Sequence, residues 1–194
     1  MTSIFINYRT SDVGYAPNAV RGGLAAHFGA EHVFLAARSI PLGAAWPPAL
    51  LDAAAGCRVL LALLGSRWSS ATTDTGDRCL DDPDDLVRAE IRAALDHSRV
   101  VVPVLFDDAP NPADRPLPGD IAALARSQAF RVHRRSMEHD IDALAKRLRA
   151  ENPDLPRPAE SVTTHTETRF GAVTGRVDKL FQIGQMTVNG DFNA

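Results

Sequence analysis

Short apolar runs rich in β-branched residues alternate with amphipathic stretches from residue 3 to about residue 150. The runs at 4–8, 32–35, 58–64, 99–106 and 128–133 read as strands. Most are continuously apolar, the pattern of parallel strands buried on both faces. Helical patterns lie at 17–28, 47–55, 84–97, 120–126 and 136–150. In the last of these, Ile141, Leu144, Ala145 and Leu148 share one face of a 3.6-residue period.

Five such units in series predict an α/β fold with right-handed crossovers, helices on both faces and a flavodoxin-like five-stranded parallel sheet. Ligands in such sheets bind outside the carboxyl ends of the strands. The segments that matter are therefore 8–16, 36–46, 65–84 and 107–118. The third is long and polar, with Trp68, Ser69, Ser70, Thr72, Thr73 and Asp74. It reads equally as a functional loop or as a tolerated surface insertion.

The pattern changes after residue 150. Residues 151–168 hold Pro153, Pro156 and Pro158 among polar and charged positions, with no apolar period, and read as a linker. Residues 169–194 are glycine-rich and β-prone, with Val173, Val177, Phe181, Ile183 and Val188. Gly171-Ala172-Val173-Thr174 and Gly184-Gln185-Met186-Thr187 form a weak internal repeat. The tail is too short for a core of its own. Gln182, Gln185, Asn189 and the absence of proline after Pro158 suit in-register cross-β stacking. A disordered or hairpin tail is the plainer alternative.

Composition narrows the class. A chain of 194 residues, 45% hydrophobic and 23% charged, fits one globular domain plus an appendage. A net charge of −3 gives no electrostatic reason to expect nucleic acid or an acidic membrane as partner. The longest apolar runs, 59–65 and 100–106, fall far short of a membrane span. Met1-Thr2-Ser3 enters a strand directly, without a signal-peptide pattern, and Cys57 and Cys79 lack disulfide or metal-ligand spacing. A cytoplasmic protein is expected.

Familiar nucleotide and hydrolase motifs are missing. Gly22, Gly23 and Gly29 do not make the dinucleotide fingerprint, and no phosphate-binding P-loop or nucleophile elbow occurs. A phospho-acceptor Asp at the end of the third strand is replaced by Gly65-Ser66. Six scattered histidines make a zinc site a poor reading, and Cys57 reads as a small core residue. The segment 81–95 says more. Asp84 or Asp85 caps a helix whose apolar stripe is Val87, Ile91, Ala94 and Leu95. Glu90 falls on the flank of that stripe. It either points into the ligand crevice or pairs with Arg9, Arg88 or Arg92 as a structural ion pair.

Ile4-Phe5-Ile6-Asn7-Tyr8-Arg9 resembles the opening strand of TIR domains, which commonly reads phenylalanine-isoleucine-serine-tyrosine. Val33-Phe34-Leu35 and then Ser39 to Trp46 resemble the second strand and the BB loop. Val59 to Trp68 resembles the third strand, Leu86 to Ile91 the third helix and Val101 to Leu105 the fourth strand. The ordered set covers residues 1–150.

Many members of that family cleave NAD+ at the nicotinamide–ribose bond, and others only assemble. The resemblance implies NAD+ as substrate, no separate cofactor, and Glu90 as the catalytic glutamate of the third helix. It implies substrate-binding roles for Tyr8 and Arg9 after the first strand and for Gly43 and Trp46 in the BB loop. The sequence departs from the family in two places: strand two ends Leu35-Ala36-Ala37 instead of in Asp, and Leu86 stands where an aromatic residue often precedes the glutamate. Trp68 or Trp46 is then the candidate aromatic face for nicotinamide.

Phe181-Gln182-Ile183-Gly184 resembles the core of the RHIM amyloid motif, and the tail is similar to bacterial amyloid signalling sequences. Those implied assembly residues suggest a homo-oligomer, joined through TIR domain and tail, and an upstream nucleotide-binding receptor with a matching motif. The expected device is an NADase in bacterial immune signalling, switched on by templated assembly. A non-enzymatic TIR scaffold is one alternative, and an N-glycoside base-exchange or deoxyribosyl-transfer enzyme another.

Overall fold

The alternating runs resolve into one sheet in a computed structural model that describes residues 3–35 and 46–158, the side chains of Trp46 and Pro47 excepted. The strands are β1 (Ile4–Tyr8), β2 (Val33–Phe34), β3 (Val59–Leu64), β4 (Val100–Phe106) and β5 (Phe130–Val132). All pair in parallel in the order β2-β1-β3-β4-β5. This is the expected flavodoxin-like order, with its topological switch point between β1 and β3. Four strands are shorter than their apolar runs, β3 and β4 by their first residue only. His32 belongs to a 3-10 turn, Ala30–His32, and β5 keeps only the middle of residues 128–133.

The helices are α1 (Thr10–Val13), α2 (Pro17–Phe28), α3 (Trp46–Gly56), α4 (Leu86–Asp96) and α5 (Met137–Glu151). The single turn α1 has no apolar period to announce it. Residues Gly119–Arg126, expected as a helix from 120, form a 3-10 helix. Helices α2 and α5 cover one face, with Val20, Leu24, Ile141 and Leu144 against Ile4, Ile6, Leu61 and Leu63. They approach so closely at Gly23 that a Cβ there would lie 2.5 Å from Ile141 Cγ2. Helices α3 and α4 and the 3-10 helix cover the other face, where Leu50, Ile91 and Leu124 meet Phe5, Leu60 and Leu64. Every residue of the central strand β3 is buried, which is why its sequence shows no alternation.

The domain runs further than the expected boundary at 150. Glu151 closes α5, and Leu155 is buried in the core beside it. Arg149 donates to the Pro156 carbonyl at 3.3 Å, and Arg58 pairs with Asp154 at 3.4 Å. The first residues of the expected linker thus fold back on the domain, because Leu155 supplies an apolar anchor that prolines obscure in the sequence. The proposed assembly residues Phe181, Gln182, Ile183 and Gly184 lie outside the described residues, as does Gly43.

Candidate functional site

Strand β1 turns alternate residues to opposite faces of the sheet, so Phe5 and Asn7 share the face covered by α3 and α4. Asn7 is fully buried there, in a position where the strand pattern calls for an apolar residue. Its Nδ2 donates to Glu90 Oε2 at 2.7 Å and to the Val87 carbonyl at 3.0 Å. One amide thus ties the sheet to the first turn of α4 and to the carboxylate one turn on. In the sequence Asn7 is announced only as a polar residue on the same strand face as Phe5.

Helix α4 is started by Asp85, whose carboxylate accepts from Arg88 N at 2.9 Å. The same carboxylate takes the Arg9 guanidinium at 2.9 Å, and both side chains are nearly buried. Arg88 and Arg92 turn the other way, to Asp120 at 3.0 and 3.7 Å. Arg9, Arg88 and Arg92, the three candidate partners of Glu90, are therefore engaged by aspartates. The structural ion pair is replaced by a neutral contact with Asn7.

Glu90 is only 8% exposed, deeper than a flank position implies. Burial of its charged form pushes the carboxyl up to about 8, against the lowering effect of the Asn7 donor and with a smaller upward push from Asp85. The group opens on a cavity of about 500 Å³ at the carboxyl end of β1. Its wall includes Tyr8, Arg9, Leu50, Asp85 and Leu86 besides Glu90. Of the expected site residues, then, Tyr8, Arg9 and Glu90 come together. Leu86, at the position where relatives often carry an aromatic ring, is part of that wall.

Trp68 goes elsewhere. It is buried in the core with Leu64, Leu80 and Leu105 and is not among the cavity-lining residues, so it offers no aromatic face there. Trp46 begins α3, and its side chain lies outside the described residues. The long polar loop after β3 is anchored through a few contacts, while Thr72, Thr73 and Asp74 stay exposed. Arg78 binds the Ser69 carbonyl at 2.6 Å, the Pro116 carbonyl at 2.7 Å and Asp81 at 3.1 Å, while Leu80 enters the core. Asp12 on α1 accepts from Gly65 N at 2.7 Å and Arg67 N at 3.0 Å, pinning the start of that loop. A Cβ at Gly65 would lie 2.5 Å from Asp12 Oδ1. Among the described residues no cluster of metal-ligating side chains occurs, and no helix is long and apolar enough to cross a membrane.

The five-stranded parallel architecture is that of a known family. Residues 4–149 match the TIR domain model, and the chain belongs to that family. Among solved structures it is similar to the TIR domains of the activated Roq1 resistosome, described as directly recognizing the pathogen effector XopQ. That match has a TM-score of 0.54 and 13% identity, covering 78% of this chain and 99% of the other, and it shows the shared fold. No curated protein matches the sequence.

Proposed function

We propose that this TIR domain hydrolyses NAD+ at the nicotinamide–ribose bond, with Glu90 as its catalytic carboxylate. The observation that carries the reading is a buried glutamate beside a cavity, without a cationic partner among the described residues. Nicotinamide is cationic in NAD+ and leaves as a neutral base, taking the C–N electron pair. The departing bond leaves oxocarbenium character on the ribose, and a carboxylate beside the ring stabilises it. Water then adds to the anomeric carbon and releases a proton, giving ADP-ribose. No acid is required for the leaving group.

A carboxyl near 8 is mostly protonated at neutral pH in the free protein. The positive nicotinamide ring favours its ionisation on binding, so substrate charge helps to create the working form of Glu90. Tyr8 and Arg9, at the cavity wall, suit ribose and phosphate contacts.

Activation belongs to the same proposal. Residues 169–194 assemble as a cross-β segment, raise the local concentration of TIR domains in the cytoplasm and let them pair with one another and with a receptor bearing a matching motif. Leu86 in the cavity wall favours the second reading, a TIR scaffold without turnover.

Purified full-length protein separates the two. NAD+ turnover that appears on concentration or seeding with tail fibrils, and is lost in Glu90→Ala, is the expected result. Assembled wild type that leaves NAD+ intact would establish the scaffold. Product analysis with an added acceptor base tests for base exchange.

A further inference from the structure

We propose that Asn7 is the positioning residue of this site, holding Glu90 Oε2 with an N–H donor whose direction is fixed by the Val87 carbonyl. The inference rests on reading Glu90 as the working carboxylate and adds the device that controls it. The orientation of the amide follows from its neighbours. Turned about, Asn7 would set its own oxygen against the Val87 carbonyl and the Glu90 carboxylate together, two acceptor–acceptor contacts in a buried place. With the nitrogen toward both, each proton of the amide has an acceptor. Asn7 Oδ1 is left without a protein partner among the described residues.

Two consequences follow for Glu90. Oε2 is occupied by Asn7, and no hydrogen bond among the described residues engages Oε1, so a single oxygen is available for the ribose. An N–H donor also favours the ionised carboxylate over the acid, offsetting part of the cost of burial.

Other charges around the group are few. Asp85, on the turn before, is matched by Arg9 from the end of β1, and Arg88 and Arg92 are drawn to Asp120. Strand β3 turns Ala62 and Leu64 to this face, and α3 contributes Leu50 to the cavity wall. Among the described residues Asn7 is the hydrogen-bond donor to the Glu90 carboxyl.

The test is Asn7→Leu in the full-length protein, a change that keeps the branched shape of the side chain and removes the donor. Carboxyl-carbon NMR of glutamate-labelled protein, assigned with Glu90→Gln, reads the titration directly without needing turnover. Loss of a charge-assisted hydrogen bond should move the Glu90 titration upward by about one to two pH units. The acid limb of kcat/KM for NAD+ should move with it. At neutral pH kcat should fall about tenfold or more, with KM changed by less than about twofold, since Asn7 orients the carboxylate and does not hold the dinucleotide.

Asn7→Ser, which keeps a single hydroxyl donor, should lie between the two and serves if Asn7→Leu does not fold. A folded Asn7→Leu or Asn7→Ser protein with the Glu90 titration unmoved overturns the inference. A shifted titration in a protein that never turns over NAD+, even when assembled, leaves Asn7's role standing and removes the hydrolase reading.

Discussion

Glu90 and Asp12 are two acidic side chains at the same end of the sheet, and their surroundings assign them opposite tasks. Asp12 accepts two backbone N–H groups, from Gly65 and Arg67, and so closes the loop after β3. Among the described residues Glu90 has a single side-chain donor, and a cavity lies beside it. The Asp12 corner satisfies its polar groups at the expense of space, down to a glycine forced by a 2.5 Å approach. At the Glu90 corner a carboxyl is kept buried and poorly solvated. A carboxylate that completes the backbone hydrogen bonding is a structural element; one left short of donors beside a void is a candidate for chemistry, in keeping with the role proposed for Glu90.

The sharpest way to break this contrast is pH. Burial raises the Glu90 carboxyl from its ordinary 4.5 to about 8, so the folded protein retains a proton that the unfolded chain has lost. Stability should therefore fall as pH rises from about 4.5 to about 8 and level off above it, because the native state binds more protons in that window. Glu90→Gln cannot titrate and should flatten that slope, leaving the variant about 3–5 kcal/mol more stable than wild type near pH 9. Urea unfolding across the pH range checks it. Wild type and variant losing stability in parallel would mean that Glu90 is well solvated in the native state.

Asp12→Ala tests the other corner. Removing an acceptor shared by two backbone N–H groups should cost about 2–3 kcal/mol in urea unfolding. The Glu90 titration should stay where it is. A shift in that titration would show that the two corners are coupled and that the division of labour is wrong.

How far the sequence discloses these tasks depends on whether a residue's partners are close along the chain. The order of strands and the helix bearing Glu90 are written in local periodicity and capping, and Asp85 caps α4 as its place after proline and before an apolar run suggests. The contact between Asn7 and Glu90 joins positions 83 apart, and that between Asp12 and Gly65 positions 53 apart. Neither has a local pattern. Asn7 leaves only a faint trace, a polar residue sharing a strand face with Phe5. The anchoring of loop 65–84 is hidden for the same reason: Arg78 reaches the Pro116 carbonyl, 38 positions away. Leu155 shows the reverse, a single apolar residue among prolines that extends the core beyond the expected boundary.

Trp68 carries the contrast to its smallest effect. As an aromatic residue at the carboxyl end of β3 it looked fit to stack on nicotinamide, yet it is 3% exposed in the core, and its Nε1 has no hydrogen-bond partner among the described residues. A ring that served ligand stacking would leave one face on the cavity, and this one is spent on Leu64 and Leu80. Trp68→Phe removes the unpartnered N–H and some packing volume together, two changes of opposite sign. The net effect on stability should be within about 1.5 kcal/mol. Turnover and KM for NAD+ should be unchanged, whereas a KM raised severalfold in the folded variant would return the indole to the binding site.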